Sequence, residues 1–173
     1  VKSKYPGFSR DKTLILPIPP DAWPPPTDGL TLDGSDFEPK SELHVTILGS
    51  EYGAYVHDAV KNGFLREADF VRAFERQPWG FARTGEYRLL ARDKQRDDGT
   101  TLRAKSIVAM LSMSSMQAFH YWLAARLGID PIVPPPHVTL WVSGDRNGIG
   151  LTCEEDLAES TVLVLDRGQL PLD

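Results

Sequence analysis

Two short segments carry the same residue types in the same order, about half the chain apart. Residues 44–48 read HVTIL, and residues 137–141 read HVTLW. Side chains along a β-strand alternate between its two faces, so the histidine and threonine of each segment share one face. The aliphatic residues share the other face and favour burial. Each strand would therefore present an imidazole and a hydroxyl on one face, about 6 to 7 Å apart along the strand.

These residue types suit acid–base chemistry at phosphorus. Free imidazole titrates near 6.5, so near neutral pH one of His44 and His137 can accept a proton while the other donates one. Displacement at a phosphodiester needs a base for the attacking oxygen and an acid for the leaving oxygen. The hydroxyls of Thr46 and Thr139 can donate hydrogen bonds to the non-bridging oxygens, where negative charge develops. The set predicts a phosphodiester-cleaving site with no metal and no cofactor.

The other histidines give no comparable pattern. His57 and His120 fall within predicted helices and have no threonine two residues later. We interpret His57 as a surface residue, and His120 as a packing or helix-surface residue. A catalytic zinc site needs at least three protein ligands. Since only His44 and His137 form a plausible pair, a metallohydrolase is disfavoured.

Composition narrows the class of protein. The net charge is −5. A negative net charge argues against binding to the phosphate backbone of long nucleic acids and favours a substrate with a small or terminal phosphate. No apolar run reaches about 18 residues, so no membrane span is predicted, and the N-terminal segment lacks the apolar core of a secretion signal. Cys153 is the only cysteine, which excludes an intramolecular disulfide and a cysteine-based zinc site. We expect one cytoplasmic, monomeric domain over residues 1–173.

The pattern of turn and apolar residues predicts the elements that carry these segments. Residues 19–40, rich in Pro, Gly and Asp, predict a long loop, favoured as a connector over a flap beside the site. The order of strands and helices predicts an α+β fold with largely antiparallel sheets. The remaining predicted elements are strands at 12–19, 41–49 and 137–142, helices from Ser50 to Asn62-Gly63 and over 66–77, a hairpin of 85–93 and 100–111, a helix from Ser114 or Ser115 to Leu127, a short helix within 153–160 and a last strand at 161–168.

Four further residues are candidates for substrate binding. Arg103 and Lys105 alternate on one face of a predicted strand, where they could neutralise phosphate or form a solvated face. Trp141 is predicted to share the face of His137, where it could stack on a base or instead fill the core. Tyr5 could line the edge of a cleft, although a position in an N-terminal tail is favoured.

The segment SGDRNGIG at residues 143–150 follows the second motif. Its glycines could bring backbone N–H groups to a phosphate. It lacks the Gly-Lys-Ser/Thr ending of a nucleotide triphosphate-binding loop, so an ordinary turn is favoured.

The two segments resemble the motifs of the two-histidine (2H) phosphoesterase superfamily. That group includes RNA 2′,3′-cyclic phosphodiesterases, 2′-5′ RNA ligase-like proteins and phage enzymes that destroy cyclic-oligonucleotide immune signals. Its hallmark is a pair of H-x-[TS]-aliphatic motifs on facing strands, here His44-Val45-Thr46-Ile47 and His137-Val138-Thr139-Leu140. The wider context, PPPHVTLWVSGDRNGIGL, looks like a divergent bacterial or phage subgroup.

The resemblance implies a bilobal α+β fold, with two antiparallel sheets related by a pseudo-twofold axis, a central cleft and outer helices. It implies His44 and His137 as the acid/base pair, and Thr46 and Thr139 as phosphate ligands. The implied substrates are a 2′,3′-cyclic phosphate, a 2′-5′ linkage or a small cyclic oligonucleotide. Two alternatives stay open: 2′-5′ RNA ligase activity on the same site, and non-catalytic binding of nucleotides or RNA ends. Which histidine is the acid also stays open.

Overall fold

The computed structural model describes residues 3–172, and its architecture is α+β. Within this range no helix combines the length and the apolar character needed to cross a membrane. The strands are β1 (Leu14–Ile18), β2 (Leu30–Leu32), β3 (Ser35–Pro39), β4 (Leu43–Leu48), β5 (Ala82–Gln95), β6 (Thr101–Ser112), β7 (His137–Ser143) and β8 (Thr161–Leu165). The helices are α1 (Ser50–Lys61), α2 (Glu67–Glu75), α3 (Ser114–Leu127) and α4 (Glu154–Ser160), and a 3₁₀ turn spans Arg167–Gln169.

Within residues 3–172 the strands form one eight-stranded antiparallel sheet. Its main path runs β1-β4-β7-β6-β5-β8, while β3 pairs with the C-terminal part of β7 and β2 pairs with β3. The pairing therefore gives a continuous sheet rather than two separate ones. The two motif strands, β4 and β7, are neighbours in its middle.

The two faces of the sheet are covered differently. The main core lies on the face where Val45 and Ile107 point, and it includes buried residues of α1, α2 and α3. Val108, the next residue along β6, points to the other face and belongs to a smaller cluster with Ile149 of the following loop and Leu157 of α4. Three helices therefore cover one face, and a loop with one short helix covers part of the other.

Most of the predicted elements are confirmed, including the hairpin of β5 and β6 and the helix that ends before Gly128. The prediction for residues 19–40 is wrong in part, because this segment contains the β2–β3 hairpin. Asp33 and Gly34 both have positive φ, at 51° and 67°, which is the conformation that a two-residue Asp-Gly hairpin turn requires. The strands on either side are short, and prolines flank them, so their alternation is weak in the sequence.

Candidate functional site

The strands β4 and β7 run antiparallel with Val45 opposite Val138. Both valine side chains are fully buried in the main core. Burial of these two aliphatic side chains fixes the register, because a slip by one residue would turn every side chain of the strand to the opposite face. The residues on either side of the valine pair must then point away from the core.

Extending this register by one residue in each direction places His44 opposite Thr139 and Thr46 opposite His137. The four side chains share one face, and the antiparallel pair has a local twofold axis that exchanges the two motifs. The histidines are diagonal neighbours, for which the spacing is roughly 7 to 8 Å. His137 is buried, whereas the other three residues are half-buried. The structure therefore brings both predicted motifs to one place.

His137 is held by a hydrogen bond from its Nδ1 to the carbonyl of Pro135, at 2.8 Å. A carbonyl oxygen can only accept, so Nδ1 carries the proton and Nε2 is the nitrogen left for proton transfer. Burial lowers the pKa of His137, and the hydrogen bond to Pro135 opposes that shift. The nearby His44 lowers the pKa further, as expected for two imidazoles at diagonal positions of adjacent strands.

His44 has its own electrostatic neighbours. Burial lowers the pKa of His44, the charge of Lys40 lowers it further, and Glu42 opposes the shift. Lys40 follows β3 directly, and its backbone N–H donates to the carbonyl of Leu140 at 2.8 Å. Its Nζ donates to the carbonyl of Arg146 at 2.9 Å. Lys40 was missed by sequence reasoning because it lies in the segment interpreted as a loop, although it stands only four residues before His44.

The glycine loop, residues 143–150, packs against the motif face. A Cβ atom added at Gly148 would lie 3.4 Å from Cγ2 and 3.5 Å from Oγ1 of Thr139, and 3.3 Å from Oγ of Ser106. The backbone N–H of Ile149 donates to the same Ser106 hydroxyl at 3.1 Å. The loop therefore does more than connect two elements, because it limits the space beside a motif threonine.

A lysine of β5 anchors the glycine loop. Lys94 donates to the carbonyl of Gly148 at 2.8 Å and forms an ion pair with Asp145. Burial acts to raise the pKa of Asp145. Two hydrogen bonds, from Lys94 and from the backbone N–H of Asn147, and the charge of Lys94 outweigh this effect and lower the pKa overall. Asp145 is therefore held as a carboxylate, and the ion pair fixes the loop on the sheet.

Arg103 and Lys105 do not point to the motif face. Val108 pairs with Thr139 and shares its face, and the odd-numbered residues of this part of β6 point to the other face. Lys105 forms an ion pair with Asp33 at 2.9 Å, and Arg103 pairs with an aspartate of β5 at 2.9 Å. The hypothesis that these cations neutralise a phosphate in the cleft is corrected by this geometry.

Trp141 also departs from its predicted position. Val108 pairs with Thr139, but the preceding β6 residue, Ile107, pairs with Trp141, so β7 has one extra residue at this point. Such a bulge breaks the strict alternation of side chains. Trp141 is fully buried in the main core and donates from Nε1 to the carbonyl of Asp28 at 2.8 Å. The prediction that Trp141 shares the face of the motif and can stack on a base is wrong.

Tyr5 lies on the helix side of the sheet. Its ring contacts Phe70 and Phe74 of α2 edge-on, with centroids 5.7 and 5.6 Å away, and its backbone N–H donates to Glu75 at 3.2 Å. Burial raises the pKa of Tyr5 to about 12, with a smaller contribution from Glu67. Since the motifs point to the opposite face, Tyr5 does not line their cleft.

The other two histidines belong to the helices α1 and α3. His120 is fully buried, and its Nε2 donates to the carbonyl of Ile47 at 2.9 Å, which confirms its packing role. His57 is partly exposed, and its ring packs edge-on against Phe8 with centroids 5.8 Å apart. Across residues 3–172, no three side chains of His, Cys, Asp or Glu come together as a group that could hold a metal ion.

Comparison with protein-family models, with curated proteins and with solved structures finds no match to this chain. The resemblance to two-histidine phosphoesterases therefore depends on the two motifs.

Proposed function

We propose that the protein is a metal-independent phosphodiesterase that uses His44 and His137 as an acid/base pair. Its substrate would be a 2′,3′-cyclic phosphate, a 2′-5′ linkage or a small cyclic oligonucleotide. The observation that carries the proposal is the pairing of Val45 with Val138. This register brings both histidines and both motif threonines to one face of two adjacent strands.

The proposed reaction transfers two protons around one phosphorus atom. The neutral imidazole of one histidine takes a proton from water as the new O–P bond forms. The other histidine, as imidazolium, gives its proton to the ribose oxygen as the old P–O bond breaks. The product is a phosphomonoester with a free ribose hydroxyl, and proton exchange with solvent restores both rings. Each transfer would contribute about 100- to 10,000-fold to the rate.

The surroundings of the pair suit an anionic substrate. The hydroxyls of Thr46 and Thr139 would donate hydrogen bonds to the non-bridging oxygens, where charge accumulates in the transition state. Lys40 already acts on the pKa of His44, so its positive charge would also act on a phosphate bound between the rings. A bound anion favours the protonated form of a nearby imidazole. It would thereby offset the effect of burial and supply the imidazolium that the reaction needs.

The same proposal extends to the fold. In the sheet, β1 flanks β4 on its outer side and β6 flanks β7 on its outer side. The local twofold axis between the motif strands would then relate β1–β4 to β6–β7. We assign these two pairs to the two lobes of the bilobal family fold, joined here into one continuous sheet.

The test uses His44→Asn and His137→Asn, since an asparagine amide keeps a donor near the position of Nδ1. A substrate panel of 2′,3′-cyclic mononucleotides, 2′-5′ and 3′-5′ dinucleotides and cyclic di- and trinucleotides would be followed by mass spectrometry. Each variant should lose turnover while keeping the wild-type unfolding temperature, and EDTA should leave the wild type unaffected. His57→Asn is the matched control and should be fully active. Full activity in either motif variant, or loss of activity with EDTA, would contradict the proposal.

A further inference from the structure

In the part of the chain that the structure describes, the outer edge of β8 has no strand partner. β8 is the last strand on the main path of the sheet, and it pairs with β5 on its inner side. Apart from β5, no described backbone group forms a hydrogen bond with the backbone of residues 162–164. Alternate residues of an edge strand direct their N–H and C=O groups away from the sheet. β8 therefore presents backbone donors and acceptors to a further strand.

The side chains at this edge are apolar. β8 has the sequence TVLVL, and the side chains of Val162, Leu163 and Val164 are exposed at 45%, 42% and 66%. The other exposed large apolar residues of the described chain are single positions, far apart in the sequence. Single apolar residues are common on protein surfaces, whereas a contiguous group is typical of an interaction site.

The opposite edge of the sheet is protected in a way that β8 is not. β1 contains Pro17, which has no N–H to donate, and three of its five residues are buried. Natural edge strands are commonly protected by proline, by charged side chains or by a bulge. β8 contains no proline and no charged residue. Its pairing with β5 has one extra residue at Val162, so a bulge shortens the regular part of the edge without covering it.

The sequence of β8 is complementary to itself in an antiparallel pair. When Leu163 lies opposite Leu163 of a second copy, Val162 of each copy lies opposite Val164 of the other. Just outside the strand, the exposed Glu159 precedes it and the exposed Arg167 follows it. The same register therefore brings opposite charges together at both ends of the pair and places no like charges opposite each other.

We infer that β8 pairs with β8 of a second copy of this chain, antiparallel and with Leu163 on the twofold axis. The contact is a β-strand addition in which the same surface is used by both copies, as in most homodimers. The two sheets then join into one continuous sheet. A contact along one short strand falls below the roughly 1,200 to 2,000 Å² that stable interfaces bury. We expect a weak dimer with a dissociation constant of about 10 to 100 μM, in contrast to the monomer that the sequence predicts.

Sedimentation velocity of the full chain, from low micromolar to near-millimolar protein, tests the association. The wild type should change from monomer to dimer as the concentration rises. Leu163→Lys should raise the dissociation constant by about tenfold or more, because it places two like charges opposite each other. Ile132→Lys is the matched control and should dimerise as the wild type does. Leu163 and Ile132 are similarly exposed, at 42% and 44%, but Ile132 lies outside the strands. Val164→Lys, at a more exposed side chain, provides the same test if Leu163→Lys does not fold.

An equal mixture of Leu163→Lys and Leu163→Glu tests the position of the twofold axis. Only a residue on the axis lies opposite its own copy, so each variant alone should remain monomeric and the mixture should form a heterodimer. A wild-type chain that stays monomeric at every concentration would overturn the inference. So would open-ended oligomers, a dimer that Leu163→Lys and Val164→Lys leave intact, or a mixture that does not recover the dimer.

Discussion

His44 and His137 lie diagonally across two adjacent antiparallel strands, each one residue before a fully buried valine of the paired position. The arrangement needs no special backbone, because the same register that buries Val45 and Val138 turns the imidazoles outward. The electrostatic effect of His44 on the pKa of His137 follows from this proximity. A packing requirement of the core therefore sets the geometry of the candidate site.

The first prediction concerns the pH dependence of cleavage. The reaction requires one imidazole neutral and the other protonated, and the pKa values of His44 and His137 are both lowered, first of all by burial. The singly protonated pair is then most populated below the ordinary histidine pKa of 6.5. We expect a bell-shaped profile of kcat/KM with its maximum on the acid side of that value, measured on a 2′,3′-cyclic mononucleotide. A plateau that extends unchanged into alkaline solution would contradict this.

A second prediction separates the roles of the two histidines. Lys40 lowers the pKa of His44, and Glu42 raises it. Lys40→Gln should therefore shift one limb of the pH profile to higher pH, and Glu42→Gln should shift the same limb to lower pH. Movement of the acid limb would assign His44 as the base, and movement of the alkaline limb would assign it as the acid. The prediction fails if neither substitution moves a limb, or if both move it in one direction.

The third prediction tests the glycine loop. Gly148 has φ of +75°, and an added Cβ would press on Thr139 and Ser106 at 3.3 to 3.5 Å. Gly148→Ala should strain the backbone and shift the loop against Thr139, which we expect to raise KM and lower kcat/KM by about tenfold or more. Gly150→Ala, in the same loop, meets nothing within 4 Å and is the matched control. Similar kinetics for the two variants would argue against a role of this loop in the site.

The sequence was sufficient for the parts of the site that depend on local patterns. Alternation along each motif strand predicted which side chains share a face, because that pattern depends only on neighbouring residues. The separation of the motifs along the chain suggested that they meet, but not how. The register of the two motif strands depends on which strands pair in the sheet. The short distance between Lys40 and His44 depends on the same pairing. These relationships are between residues that are distant in the sequence or lie in an irregular segment.

The misplaced residues have a related cause. The bulge that turns Trp141 into the core arises from the match between β6 and β7, and nothing within β7 alone marks it. The ion pair of Lys105 with Asp33 depends on the β2–β3 hairpin, which was missed because its strands are short. The error for Trp141 comes from applying strict alternation across the bulge in β7. The error for Arg103 and Lys105 concerns which face of β6 meets the motifs, and that depends on how β6 pairs with β7.

The fourth prediction distinguishes a structural from a substrate-binding role for Trp141. Trp141→Phe removes the hydrogen bond to the carbonyl of Asp28 and leaves a gap in the main core. We expect a loss of about 1 to 3 kcal/mol in the free energy of unfolding, measured by chemical denaturation. Nucleotide binding and kcat should remain at the wild-type level. A large rise in KM with unchanged stability would instead indicate that the indole contacts the substrate.

The last prediction concerns stability in acid. Burial lowers the pKa of His120 from 6.5 to about 4, against the opposing effect of the Ile47 and Ile132 carbonyls. Between these two pKa values the ring of His120 binds a proton in the unfolded chain but not in the folded chain. The contribution of this group to the free energy of unfolding is therefore complete above pH 6.5 and is lost as the pH falls through this window. The loss from this group should be on the order of 3 kcal/mol. Denaturant unfolding across this range should show a weaker pH dependence in His120→Gln than in the wild type. If His120→Gln keeps the full wild-type dependence, another buried group must be responsible.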